Sequence, residues 1–354
     1  MDKDCKIYLA GNHDMIGTAI WESLKVGGYI NLVGFTENSP DLLDTIAVKN
    51  FFEKEKPEYV ILTSANIGEY HSDESSPADI IYKNLQIQNN IIGECFRNKV
   101  KKLLILGNMS VYPEGIQGPI REDQLLTSPL SYKNEPYAIT KIAAIKMCES
   151  FNLQYSTNYL VATPAQIYGP NDHLNLTESH IIPELIRKMH LAKCVFENNW
   201  SSLQKDIKRR SLSNVSGSST LDELIYTLNR YGIYSHHLEL SGFTKSIIEF
   251  LWSGDFADAC IFMLNNVDFT DSSNFNIGTG MGGVNIKNLA KLVAEIVGYN
   301  GRLKFIPLKA EERTDRLIDV SKINALGWKY STELEEGVFL FYQWYLKDLE
   351  QINE

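Results

Sequence analysis

Through the first half of the chain, short apolar runs alternate with longer stretches whose apolar residues recur every three or four positions. The apolar runs fall at residues 6–10, 31–35, 59–64, 102–107 and 159–164, and their wealth of Val, Ile, Leu and Tyr predicts strands. Between them, stretches such as "AIWESLKVGG" and "IIYKNLQIQNNIIGECFRNK" carry the helical period. Strands apolar on both faces, each followed by a helix, predict a parallel sheet covered on both sides. Right-handed crossovers then give a doubly wound, Rossmann-type α/β domain.

The second half is less regular. "IIPELIRKMHLAKC", residues 181–194, reads as a helix, and the polar, serine-rich stretch after it predicts a helical insertion over about residues 196–237. Within that stretch "SSTLDELIYTLNRYG" carries cap signals: Ser219 or Thr220 as N-cap, Asp222 and Glu223 in the first turn, and Gly232 at the end. Alternation resumes near Leu238, and "EGVFLFYQWYLKDLEQ" closes the chain as an amphipathic helix. The expected organisation is a dinucleotide-binding Rossmann domain over residues 1–170, to which 247–277 returns. A smaller α/β substrate domain would comprise residues 171–246 and 278–354 and carry the insertion.

Composition narrows the function classes. The 354 residues are 44% hydrophobic and 22% charged, with a net charge of -10. An acidic balance argues against nucleic acid, whose phosphates need a basic surface. The one dense basic cluster, "KDIKRR" at 205–210, reads as the solvated face of a helix. No apolar run approaches the roughly 18 residues that would span a bilayer, so no membrane partner is expected. "MDKDCKIYLAG" leads almost directly into a strand, which predicts no signal peptide. The five cysteines are scattered without a CxxC, which predicts reduced thiols in a cytoplasmic protein and neither disulfides nor a metal site.

Two motifs carry chemistry. In "IYLAGNHDMIGTAIWESL" an apolar strand runs into Gly11, and Gly17 follows six residues later at the start of a helical pattern. In a βαβ unit the first glycine permits the tight turn and the last permits helix to pack on strand. A middle glycine would let a diphosphate approach, and Asp14 stands in its place. The second motif is "YAITK", with Tyr137 and Lys141 four residues apart and therefore on one helix face. A nearby ammonium lowers a phenol's pKa and makes it a usable acid or base near neutrality.

The loops around these motifs resemble those of a known family. "YAITKIAAIKMCESFNLQYSTNYLVATPAQIYGPND", "SHIIPELIRKMHLAK", "DFADACIFML", "FNIGTG" and "IKNLAKLVAEIVGYNGRLKF" followed by "LIDVSKINALGW" resemble extended short-chain dehydrogenase/reductases, and among them GDP-L-fucose synthase-like proteins. The resemblance implies reduction of the C4 keto group of a GDP-linked 4-keto sugar, a 6-deoxy-hexose or a heptose, in nucleotide-sugar biosynthesis for surface polysaccharide. The alternatives are a combined epimerase-reductase, or a sugar-nucleotide-binding relative with impaired catalysis. Tyr137 would donate the proton to the keto oxygen, Lys141 would lower its pKa and hold the ribose, and His180 matches an acid used in epimerisation. Asn108 occupies the place of the family's catalytic serine or threonine, and Ser110 that of its cysteine. The implied cofactor is NADP(H), held by Gly11, His13, Asp14, Met15, Ile16, Gly17, Ala65 and Pro164 with Tyr137 and Lys141. NAD(H) is the alternative, because Glu37 stands where a 2'-phosphate would want a cation. Gln166, His180, Arg187 and Lys309 match substrate-binding positions, and a homodimer through the helices near residues 82–98 and 137–152 is implied as well.

Overall fold

The structure is a computed structural model and describes residues 1–11, 14–35, 39–63, 76–176, 179–212, 215–216, 219–241, 246–269, 272–306 and 315–351. The chain opens with alternating elements: β1 (Ile7–Ala10), α1 (Met15–Val26), β2 (Leu32–Val33), α2 (Thr45–Glu55), β3 (Tyr59–Leu62), α3 (Pro77–Arg97), β4 (Lys102–Leu106), α4 (Glu135–Tyr155) and β5 (Tyr159–Pro164). There follow β6 (Gln166–Tyr168), α5 (Ile181–Phe196), α6 (Trp200–Arg209), α7 (Leu221–Arg230) and β7 (His237–Ser241). The remainder holds β8 (Ile247–Ile248), β9 (Phe250–Trp252), α8 (Ser253–Asn266), β10 (Asn274–Ile277), β11 (Val284–Asn285), α9 (Ile286–Val297), β12 (Arg302–Ile306), α10 (Ser321–Ala325) and α11 (Leu334–Glu350).

Six strands form one parallel sheet in the order β2-β1-β3-β4-β5-β10, as a doubly wound fold requires. Tyr8 lies opposite Val33 on one side and Val60 on the other. Leu104 lies opposite Ile61 and Leu160. The central strands are buried from end to end, which explains their unbroken apolar runs. Each such Leu or Ile contributes roughly 1.5–3 kcal/mol by leaving water. β2 is shorter than the apolar run 31–35 predicts, because it is the edge strand and pairs with β1 alone. The strand order reverses at β1, whose neighbours are β2 and β3, so the ligand crevice lies at the C-terminal ends of β1 and β3.

The chain divides into two compact units. The first comprises Met1–Ile167, Glu249–Met281 and Arg316–Ser331, and the second Tyr168–Ile248, Gly282–Asp315 and Thr332–Glu354. Residues 316–331 therefore depart from the sequence-based division, which kept all of 278–354 in the second domain. Backbone pairing explains the return: Ile120 N–H donates to Leu317 O at 2.9 Å and Asp319 N–H to Ile120 O at 2.8 Å. Trp328, nearly fully buried, donates from Nε1 to Asp258 on α8 at 2.9 Å.

In the second unit, β7 and β12 pair in parallel. α7 begins at Thr220 with a reciprocal cap, in which Thr220 N–H donates to Glu223 Oε2 at 2.8 Å and Thr220 Oγ1 accepts from Glu223 N–H. The basic stretch 205–210 is not simply a solvated face. Lys205 and Lys208 are exposed, whereas Asp206 is fully buried and Arg209 and Arg210 both pair with Asp348 of α11. All five cysteines are unpaired and buried. Among the described residues no helix is long and apolar enough to cross a membrane.

Candidate active site

β1 ends at the fully buried Ala10, and Gly11 turns the chain with φ +152°, a conformation that L side chains rarely adopt. α1 then begins at Met15 with Asp14 as its N-cap, and Asp14 Oδ1 accepts from Gly17 N–H at 2.7 Å. Met15 and Gly17 are buried and Ile16 is half-buried, so this turn packs α1 on the sheet. A helix N-terminus beside the crevice suits a diphosphate. Here the Asp14 carboxylate takes one of the N–H groups that such a ligand would use. His13 lies outside the described residues.

The next strand ends bring polar groups into one place. A Cβ on Gly107 would stand 2.2 Å from Thr163 Oγ1, so only glycine lets β4 leave the sheet this close to β5. Asn108 follows and caps a 3-10 turn, Met109–Val111, by accepting from Ser110 N–H at 2.9 Å. Ser110 Oγ is buried and has no hydrogen-bond partner among the described residues. Such an orphan in a native site calls for a ligand or water.

Beneath the turn, Tyr112 OH donates to Asn276 Oδ1 at 2.6 Å and accepts from Asn274 Nδ2 at 3.0 Å. Thr163 Oγ1 donates to Asn274 Oδ1 at 2.6 Å, and Asn276 Nδ2 donates to Ile120 O at 2.9 Å. This network ties the turn to β5 and β10. Burial pushes the Tyr112 phenol far above its usual range, so it stays protonated.

Tyr137 and Lys141 lie on the inner face of α4, with relative exposures of 6% and 4%. Lys141 Nζ donates to Leu106 O at 2.8 Å, at the end of β4, and sits 5.5 Å from the centroid of the Tyr137 ring. A surface pair on a helix would need neither burial nor an anchor. A buried ammonium is retained only where it is hydrogen-bonded. Pro164 is buried in β5, and Gln166 is half-buried with its N–H on Glu249 O at 3.2 Å. Ala65 and Lys309 lie outside the described residues.

The second unit holds the remaining predicted residues. His180 Nδ1 faces both carboxylate oxygens of Asp172 at 3.2 Å. Burial lowers the imidazole to about 4, and the carboxylate at Nδ1 favours the tautomer protonated there. Arg187 corrects the sequence reading. It is 1% exposed, and its guanidinium donates to Asp206 from Nε at 3.0 Å and from Nη2 at 2.8 Å, with Nη1 on Leu174 O at 2.7 Å. A substrate phosphate would have to displace a buried carboxylate to reach it. Asp206 also accepts from Tyr345 OH at 2.6 Å, so Arg187 joins α5, α6 and α11.

Residues 7–208 match the NAD dependent epimerase/dehydratase family. The chain belongs to that family. Among its members, GDP-L-fucose synthase 1 of Arabidopsis thaliana is 36% identical, over 98% of this chain and 95% of that protein. GDP-L-fucose synthase of Escherichia coli is 34% identical over 98% of each. The solved GDP-mannoheptose C4 reductase of Campylobacter jejuni, with NADP bound, has a TM-score of 0.87 at 38% identity and covers 98% of this chain and 99% of its own. These epimerase/dehydratase relatives span nearly the whole chain, second unit included.

Several groups that shape the site escape a sequence reading. Tyr112 sits in the quoted "SVYP" region, but its partners Asn274 and Asn276 are 162 and 164 residues away. Glu249 is buried and accepts from the N–H groups of Thr279 at 2.6 Å, Gly280 at 2.9 Å and Ile318 at 3.3 Å. Its only sequence signal is a lone acid in the apolar run "IIEFLW". Asp172 was within reach, eight residues before His180 in "GPND".

Proposed function

We propose that this protein is an NADP(H)-dependent oxidoreductase that reduces the C4 keto group of a GDP-linked 4-keto sugar, a keto-heptose before a 6-deoxy-hexose. The observation that carries the reading is the buried Tyr137–Lys141 pair, anchored by Leu106 O, together with the Ser110 hydroxyl in the turn after β4, which has no partner among the described residues. The likeness to a GDP-mannoheptose C4 reductase with NADP bound supports both substrate class and cofactor. So does the likeness to a GDP-D-glycero-L-gluco-heptose synthase of Campylobacter jejuni, solved in the presence of NADPH, at TM-score 0.89 and 38% identity.

The residues present suit such a dinucleotide: Gly11 supplies the tight turn, the α1 N-terminus faces the crevice, and Lys141 is placed to hold a ribose. When bound, NADPH supplies the hydride that reduces C4. Tyr137 gives its phenolic proton to the C4 oxygen, and the Lys141 ammonium makes that phenol acidic enough to do so. Ser110 donates a hydrogen bond to the same oxygen, which satisfies its orphaned Oγ. Asn108 holds the turn that aims Ser110.

Simple reduction is favoured over combined epimerisation because Ser110 stands where the resemblance implies a cysteine as the partner of His180. A serine hydroxyl is a much weaker acid and base near neutrality than a thiol, so the pair that epimerisation would need is incomplete. A homodimer through α3 and α4 is part of the proposal. It is supported by their exposed Tyr82, Ile139, Leu153 and Tyr155, at 69%, 39%, 76% and 47%, and light scattering on the purified protein tests it. A cytoplasmic location is part of the proposal, supported by the free buried cysteines.

The deciding experiment titrates the protein with NADPH and NADH, then assays oxidation of the preferred cofactor with GDP-4-keto-heptoses and GDP-4-keto-6-deoxy-hexoses. Turnover with a Tyr137-dependent rate supports the proposal. Absence of cofactor binding unless Asp14 is replaced by glycine would instead identify a sugar-nucleotide-binding relative that has lost catalysis.

A further inference from the structure

Asn90 on α3 is buried, and its amide makes the full set of hydrogen bonds open to an asparagine. Nδ2 donates to Leu42 O at 2.8 Å and to Leu43 O at 3.4 Å. Oδ1 accepts from Thr45 Oγ1 at 3.0 Å and from Gln86 Nε2 at 3.1 Å, and Gln86 Nε2 also reaches Thr45 Oγ1 at 3.2 Å. Asparagine is a weak helix former, and the buried Ile87 and Ile91 of the same helix already supply apolar packing. What Asn90 adds to α3 is a hold on residues 42–45, which lead into α2.

The segment so held leaves the sheet at the C-terminal end of β2, one strand over from the glycine turn that follows β1. Gly34 turns the chain out of β2 with φ +96°, and a Cβ there would stand 2.3 Å from the Tyr8 ring and 2.6 Å from Leu9 O. Phe35 then packs its ring on Trp21 of α1 at 5.0 Å. Ser39 Oγ donates to Gly34 O at 2.5 Å and closes the turn. The chain between β2 and α2 is thus fixed at two points, to itself at Ser39 and to α3 through Asn90. A dinucleotide whose diphosphate sits at the start of α1 spreads its two halves to the two sides of β1. Lys141, anchored on the end of β4, takes the nicotinamide half, so the adenosine half falls over the end of β2.

We propose that Asn90 is a positioning residue for the adenosine half of NADP(H), holding residues 42–45 so that the wall beyond β2 stands in place before the cofactor arrives. The inference rests on the proposed use of NADP(H). A wall already held needs no ordering when the ligand binds, and the entropy saved appears as affinity. The role is confined to binding, because the proton and hydride move at the other half of the cofactor.

Asn90→Leu tests the assignment, because it keeps an apolar side chain in the helix face and removes all four hydrogen bonds. The dissociation constants for NADPH and for adenosine 2',5'-bisphosphate are each expected to rise about tenfold, read by calorimetry well below the melting temperature. In turnover the KM for NADPH rises with them, while kcat at saturating cofactor holds. A purely structural Asn90 would lower the melting temperature and leave both dissociation constants as they were, and that result overturns the inference. Should Asn90→Leu fail to fold, Thr45→Val at the exposed start of α2 removes one of the contacts to Oδ1. It is expected to weaken bisphosphate binding about threefold, and an unchanged affinity again defeats the assignment. The bisphosphate titration needs no sugar substrate. A protein whose affinity responds to Asn90 but which reduces no GDP-4-keto sugar would overturn the proposed function and leave this inference standing. A wild-type protein that binds neither nucleotide would overturn both.

Discussion

Two residues carry the tests of the proposed site, and their chemistry is opposed. Asp14 brings a carboxylate to the helix N-terminus that should receive the diphosphate, and it caps α1 in doing so. Like charges a few ångströms apart repel by about 1–4 kcal/mol across the range from water to a protein surface. Asp14→Asn, which keeps the capping oxygen, is therefore expected to tighten NADPH binding about tenfold or more, as calorimetry would show. An unchanged affinity would mean that the carboxylate already turns away when cofactor binds. Tyr137 is the opposite case, a residue in which the loss of one oxygen should remove the chemistry alone. Tyr137→Phe is expected to lower kcat by about 10²–10⁴ while NADPH affinity stays within a few-fold. A variant that retains half the wild-type rate would exclude Tyr137 as the acid. Both residues were legible in the sequence, because each sits in a local motif whose spacing fixes its place on a turn or a helix face. Ser110 was legible only as a position. That its hydroxyl is buried and unpartnered depends on how the Tyr112 network seats the 3-10 turn.

At the level of elements, the sequence patterns held where the buried positions are apolar and failed where charge is buried. β5 was predicted to the residue, and of the two candidate caps, Ser219 and Thr220, α7 uses Thr220. Thr220→Ala is expected to cost about 0.5–2 kcal/mol, measured as a shift in urea midpoint. α6 is the contrary example. Its sequence "KDIKRR" looks like a solvated face, but Asp206 is drawn inside by Arg187 from α5 and Tyr345 from α11. No local pattern reveals such a triad, since its members lie 19 and 139 residues apart. Removing one partner of a buried ion pair is far costlier than removing both. Arg187→Met should therefore destabilise the protein by about 3–5 kcal/mol, and adding Asp206→Leu should recover most of that loss. If Arg187→Met instead left stability intact and raised KM for the sugar nucleotide, the buried pair would not be its role.

For the molecule as a whole, acid should act on the second unit through His190. This imidazole is 4% exposed, and burial lowers it to about 4 despite the opposing pull of Asp206, with Lys193, Arg187 and Arg210 lowering it further. Between about pH 6.5 and 4 the unfolded chain binds a proton that the folded one does not. The contribution is thus complete above pH 6.5 and is lost as pH falls toward 4, about 2 kcal/mol of it by pH 5. Urea melts at pH 7 and pH 5 should show this loss together with a like one from His180, and His190→Gln should remove about half of the total. An equal pH dependence in the variant would place the effect on other groups. By itself the sequence determined the doubly wound sheet, the glycine turn, the tyrosine–lysine face and the family, because each rests on a short-range period or a contiguous motif. Only the tertiary structure decided that Arg187 is spent on Asp206, that residues 316–331 return to the first unit, and that the Tyr112 network and Glu249 tie the strand ends together. Those facts depend on which buried polar groups meet across long separations, and burial makes each pairing obligatory without leaving a local trace in the chain.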